Sequence, residues 1–350
     1  MGEAAVAGKA GFVAALRQGV GQTGDRNVAR DPVNQAMIRH WCDAMEDLNP
    51  VYTDPTEAAK SVHGEIVAPP AMLQAWSMRG LEPRREAGSY GADPAGRVYA
   101  ALDTAGYTSV VATNSDHEYP RYLRIGDELS GQATLTDVSE EKRTGLGIGH
   151  FVTSETEYRN QDDEYVGKLV FRILKFKPGT GRHAQAAGDP AAAPAAPEAP
   201  PSARERPPRR EQTLCFAEVE EGAELAPCPI PITTTLIVAT AIASRDYQDV
   251  HHDKELAITR GSPDIFMNIL TSSGMCARYV SDWAGPEAIM KRLAIRLGAP
   301  NYPHDTMTMT GSVLARRAGP GGQGGTVELG LRGHNRLGDH VTGTLELELP

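Results

Sequence analysis

Near the end of the chain Leu345, Leu347 and Leu349 alternate with Glu346 and Glu348. Period-two alternation buries one face of a strand and wets the other, the half-buried antiparallel pattern. Strand-like runs fall at Glu128–Val138, Gly147–Tyr158 and 167–178, and again at Met290–Leu297, Thr306–Leu314, Gly325–Gly333 and 342–350. Helical spacing appears earlier in each half. Val33, Met37, Trp41 and Met45 form one stripe between Pro32 and Glu46. Thr233, Thr234 and Thr235 can cap a helix running through Ala243. A second helical stretch follows each time. PDIFMNILTSSGMCARYVSDW (263–283) is long and mostly apolar, whereas PPAMLQAWSMRG (69–80) is short, with Gly80 and Pro83 opposing its continuation.

The order helix, acidic loop, helix, antiparallel strands thus occurs twice. The ends of the halves match: Asn160 lies six residues before Val166, and Asn335 six before Val341, with a polar hairpin tip between. A long apolar helix followed by a curling sheet predicts an α+β fold with a sheet wrapped around a helix. Between the halves, residues 179–212 are dense in Pro and Ala and nearly free of large apolar side chains. Such a segment cannot offset its ordering entropy and reads as a disordered linker. The domains expected are therefore 1–178 and 213–350.

Composition narrows the function. Of 350 residues, 40% are hydrophobic, enough for a sizeable core, and 35 Lys+Arg against 45 Asp+Glu give a net charge of −10. An acidic chain is a poor nucleic-acid binder, and the basic run Arg204–Arg210 reads as a solvated tether. The longest apolar run, Leu236–Ala243, is too short for a membrane span, and the N-terminus lacks the order of a signal peptide. Cys42, Cys215, Cys228 and Cys276 form no C-x-x-C pair, so no metal site is expected and the thiols fit a reduced, cytoplasmic setting. Gly319–Gly325 reads as a hairpin loop, because no helix start or Lys-Ser/Thr follows to make a phosphate cradle. His304, His334 and His340 read as solvated turn residues.

One constellation carries chemistry. Asp246 and His251 stand five apart in SRDYQDVHHD, on a loop just after a helix. A carboxylate and an imidazole can together hold one water and exchange protons with it. A merely polar turn fits the same spacing.

Asp246-x-x-x-x-His251-x-Asp253 resembles the MaoC-type signature G-D-x-N-P-x-H-x-D of hot-dog (R)-specific enoyl-CoA hydratases. Here Ser244-Arg245 precedes the Asp, and Gln248-Asp249 replaces Asn-Pro. The first half keeps Asp47, Asn49-Pro50 and Asp54 of the same motif but has Tyr52 at the His position. Residues 64–76 (GEIVAPPAMLQAW) and 121–142 also resemble the family's N-terminal domains. Within that family the chain most resembles the actinobacterial steroid side-chain enoyl-CoA hydratases, which pair a catalytic MaoC-like subunit with a degenerate one. SRDYQDVHHD resembles the catalytic subunit, and WCDAMEDLNPVY (41–52) the degenerate partner. No cysteine pair suggests that partner's C-terminal zinc-ribbon or OB-type extension.

The resemblance implies a double hot-dog with a degenerate half (1–178) and a catalytic half (213–350). It implies hydration of a 2-enoyl-CoA, with a bulky, steroid-like acyl group, to a 3-hydroxyacyl-CoA. Asp246 and His251 would be catalytic, in roles the sequence does not divide. The thioester oxygen needs backbone donors at the long helix's start, for which Phe266 and Met267 are the candidates. The first half's short helix would leave an apolar cavity lined by Met72, Leu73 and Trp76 for the bulky end of the substrate; plain core packing is the other reading of those three. No cofactor is implied, coenzyme A being part of the acyl-CoA substrate. The partners implied are a second copy of the chain in a homodimer and a downstream aldolase or thiolase. Two other functions remain open: a dehydratase on carrier-protein thioesters in polyketide or fatty-acid synthesis, and a non-catalytic acyl-CoA-binding scaffold.

Overall fold

The computed structural model describes residues 2–81, 93–181 and 206–350. It is a double hot-dog, with eleven strands in one antiparallel sheet. In the first half these are β1 (Asn27–Val28), β2 (Ser109–Glu118), β3 (Ser130–Val138), β4 (Lys142–Arg143), β5 (Ile148–Arg159) and β6 (Tyr165–Phe176). The second half supplies β7 (Glu224–Ile232), β8 (Ile289–Leu297), β9 (Asp305–Ala318), β10 (Gly325–Asn335) and β11 (Gly338–Leu349). The order β1-β3-β5-β6-β2-β8-β11-β10-β9-β7 is the same five-strand sequence run twice in opposite directions, with the small β4 paired only to β5.

The halves meet at β2 and β8, which pair antiparallel from Asn114↔Arg296 to Glu118↔Arg292. Arg292 clasps Asp116 across this seam with bonds of 3.0 and 2.6 Å. Joining there removes two open sheet edges at once. The matched hairpins are present: Asn160 Oδ1 accepts from the Asp162 and Glu164 amides, and Asn335 Oδ1 from the Leu337 amide.

The helices are α1 (Gly2–Arg17), α2 (Gln35–Met45), α3 (Pro50–Thr53), α4 (Pro55–Lys60), α5 (Leu73–Ser77), α6 (Pro94–Thr104), α7 (Thr234–Ala243), α8 (Lys254–Thr259) and α9 (Ile269–Ala284). Fourteen of the 16 residues of α9 are buried, as befits a helix enclosed by the sheet. Its counterpart in the first half is only a 3-10 turn (Pro70–Met72) running into α5. Gly80 beyond it has φ 73°, a conformation that favours glycine, while Pro83 lies outside the described residues. Gly274 lets α2 cross α9: a Cβ there would come within 2.9 Å of Trp41 and Met45.

Several features depart from the sequence reading. The helix expected from Pro263 begins at Ile269, where Asn268 caps it. Strands β2 and β7 were not foreseen, nor were α1 and α6, whose side chains join Leu135, Val138, Val152 and Ile173 in a second, smaller core. His340 is not a solvated turn residue; it sits in β11 and is buried. Most of the expected linker lies outside the described residues. Its last part has a defined place: Arg206 pairs with Asp282, and the Arg210 amide donates to the Asp282 carbonyl.

Candidate active site

The loop carrying Asp246 starts where α7 stops. Arg245 takes the left-handed conformation (φ 58°), and the Asp246 amide reaches back to the Ala241 carbonyl at 3.0 Å. This closing turn of a helix end, usually left to glycine, folds the next residue inward. Asp246 is 5% exposed. The chain then makes a 3-10 turn, Asp249–His251, and Asp253 caps α8 by accepting from the Leu256 amide. The last Asp of the motif is thus a helix cap.

His251 is also 5% exposed. Its Nδ1 lies 2.7 Å from the Phe266 carbonyl. A carbonyl can only accept, so Nδ1 carries a proton, and in the neutral tautomer this leaves Nε2 bare. Nε2 stands 3.5 Å from Asp246 Oδ2. In that tautomer, and with the carboxylate ionised, both atoms are acceptors. A water between them gives one O–H to each and turns a lone pair outward, the arrangement a nucleophilic water requires. The Phe266 ring meets the imidazole edge-on at 5.1 Å, and Tyr302 meets Phe266 in the same way.

Asn268 ties these parts together. Its Oδ1 accepts from the Thr271 amide, and its Nδ2 donates to Ser244 Oγ at 2.9 Å. One buried side chain therefore joins the start of α9 to the turn carrying Asp246. The expected backbone donors are Phe266 and Met267. Both precede the helix, and their amides are spent on the Val250 and Asn301 carbonyls, each at 3.1 Å. The first-turn amides with no partner among the described residues are those of Ile269 and Leu270. Asn before an apolar run is a recognisable cap signal; Ser244 carries no signal in the sequence.

The matching loop of the first half repeats the turn with other contents. Glu46 is left-handed (φ 54°), and the Asp47 amide reaches the Cys42 carbonyl at 2.8 Å. Asn49 caps α3 and Asp54 caps α4. Tyr52, in the His position, is buried, and burial holds its hydroxyl well above the usual range. Burial also raises the Asp47 carboxyl to about 6. Asn49 Nδ2 donates to Ser281 Oγ and the Pro286 carbonyl, both at 3.1 Å, and the buried Arg278 donates to the Met45 carbonyl at 2.6 Å. Arg206 covers the outside, donating to the Glu46 carbonyl at 3.1 Å. A cavity of about 560 Å³ opens beside it, lined in part by Asp47, Cys42 and Arg39.

Met72, Leu73 and Trp76 lie on the short helix and are 0, 2 and 1% exposed. Leu73 packs on Gly167, where a Cβ would come within 2.6 Å of it. Trp76 Nε1 has no hydrogen-bond partner among the described residues.

Residues 20–169 match the family model for a FAS1-like dehydratase domain region. The chain is 48% identical over 128 residues to the 3-oxo-4,17-pregnadiene-20-carboxyl-CoA hydratase beta subunit of Mycobacterium tuberculosis, covering 37% of this chain and 95% of that one. It is 44% identical over 168 residues to the probable enoyl-CoA hydratase alpha subunit of Thermomonospora curvata, covering 47% and 51%. The chain therefore spans about half the length of that alpha subunit. A solved MaoC-like dehydratase superposes with a TM-score of 0.68 at 20% identity, covering 95% of this chain and 99% of that one, which shows the shared fold. The chain belongs to the MaoC-like hot-dog dehydratase family. Among the described residues, no helix is long and apolar enough to cross a membrane.

Proposed function

We propose that this protein hydrates a 2-enoyl-CoA with a bulky, steroid-like acyl group. The observation that carries the reading is the buried Asp246–His251 pair, 3.5 Å apart, with Nδ1 committed to a carbonyl so that the reactive edge faces the carboxylate. The names of the hydratase relatives support the direction and the size of the acyl group.

The step is balanced within the pair. Water held by His251 Nε2 and Asp246 attacks the β-carbon and gives up one proton to the pair. The π electrons move to the α-carbon and the thioester oxygen, and the α-carbon then takes a proton from the same pair. The oxygen that gathers charge lies at the Ile269 and Leu270 amides, where the helix dipole favours it. The first half adds no base. Its part is to receive the acyl group's far end near Met72, Leu73 and Trp76. These side chains are packed, so a large group has to displace them.

The test is steady-state hydration of crotonyl-CoA and of a steroid enoyl-CoA, followed by loss of enoyl-thioester absorbance. Turnover of both is expected, and turnover of neither overturns the reading. Leu73→Trp should slow the steroid substrate far more than crotonyl-CoA; equal losses would make Leu73 purely structural.

A further inference from the structure

His340 faces inward from β11 and is 1% exposed. Its Nδ1 is 2.7 Å from the Ala299 carbonyl, which places the proton on Nδ1 and leaves Nε2 an acceptor. Nε2 stands 2.8 Å from Ser272 Oγ, so the serine donates. Burial lowers the imidazole to about 4, and it stays uncharged at neutral pH. Ser272 is the fourth residue of α9, one turn beyond Asn268, and its alternative acceptor, the Asn268 carbonyl, is farther off at 3.2 Å. A second tie comes from the same hairpin: Asn335 Nδ2 donates to Asn301 Oδ1 at 2.7 Å, and the Asn301 carbonyl takes the Met267 amide. The β10–β11 hairpin thus grips the start of α9 on both sides of its cap. The first half, which lacks the catalytic His, has Tyr165 at the matching place, one residue before Val166 as His340 is before Val341.

Resting on the hydratase reading above, we propose that His340 is a positioning residue for the reaction. By accepting the Ser272 proton it fixes the first turn of α9, and so holds the Ile269 and Leu270 amides at the right distance from Asp246 and His251. Charge stabilisation by fixed donors depends steeply on placement, so a loosened first turn costs rate before it costs binding. The imidazole touches no substrate in this scheme.

Two substitutions separate the bonds His340 makes. In His340→Gln the amide end reaches the place of Nε2 and can still accept from Ser272. In His340→Asn it reaches only the place of Nδ1 and keeps the Ala299 bond. With crotonyl-CoA as substrate, His340→Gln should keep kcat within about threefold, while His340→Asn loses roughly tenfold in kcat with KM little changed. A purely structural role predicts instead that kcat follows the melting temperature in both variants, and that result overturns the proposal. Ser272→Ala, should the histidine variants not fold, must show the same selective loss of kcat; wild-type turnover would equally overturn it. A wild-type protein that hydrates no enoyl-CoA removes the hydratase reading and this inference together. An active wild type matched by His340→Asn removes this inference alone.

Discussion

The loops at Asp246 and at Asp47 have the same skeleton and different contents. Each follows a helix closed by a left-handed residue that is not glycine, Arg245 or Glu46, and each ends in an aspartate that caps the next helix. In the second half the aspartate faces a histidine whose second nitrogen is held by Phe266. In the first half the tyrosine is sealed in, and Asn49, Met45 and Glu46 are bound to α9 and Arg206. The turn is thus a structural device that positions an aspartate. Where a buried tyrosine stands in place of the histidine, the loop is a docking surface for the other half.

The largest test of this contrast is catalytic. Asp246→Asn and His251→Ala should each lower kcat by about 10²-fold or more, the scale of general acid–base work, as read with an enoyl-CoA. Near-normal turnover by either would erase the difference between the loops.

The next effect is on stability. The folded Asp47 holds its proton to about pH 6, whereas the unfolded group releases it near 3.8. Its contribution is therefore full below about pH 4 and lost as the pH rises through about 6, at most roughly 3 kcal/mol at 1.36 kcal/mol per pKa unit. Denaturation of Asp47→Asn at pH 4 and pH 8 should show that loss removed; an unchanged pH dependence would mean the carboxyl is not held neutral.

Gly274→Ala should cost about 1–3 kcal/mol by overpacking against Trp41 and Met45, measured by urea unfolding. Because this contact joins α2 to α9, a neutral result would show that the halves bear on each other less closely there. The smallest change is expected from Tyr52→Phe, whose kcat should stay within a few-fold of wild type, since a buried phenol with a raised pKa supplies no base.

Much of this architecture was legible. The Asn160 and Asn335 hairpins, the strands around them and the capped α7 follow from alternation and cap residues, and Asp246 with His251 from a motif. The failures have physical causes. Strand β7 carries Pro227, Pro229 and Pro231, a pattern that argues against a strand and is tolerated because β7 is an edge. Strand β2 looks too polar, yet Ser115 and His117 are buried beside the seam and bond each other at 2.7 Å. The start of α9 is hidden in the sequence because the apolar run continues upstream of its cap, Asn268. His340 is buried in β11, and one residue beside a turn gives no sign in the sequence of which way it faces. The docking of Arg278 and Arg206 on the first half's loop depends on residues more than 150 positions apart, which no local pattern reports.

The β2–β8 seam has a consequence for how the protein behaves on dilution. Two separate chains joined by one strand pair and a helix contact obey mass action and come apart as their concentration falls. On a single chain the same contact is intramolecular, governed by an effective concentration and not by the bulk one. The β2–β8 pairing should therefore survive dilution to nanomolar protein, read as a far-UV and tryptophan signal independent of concentration.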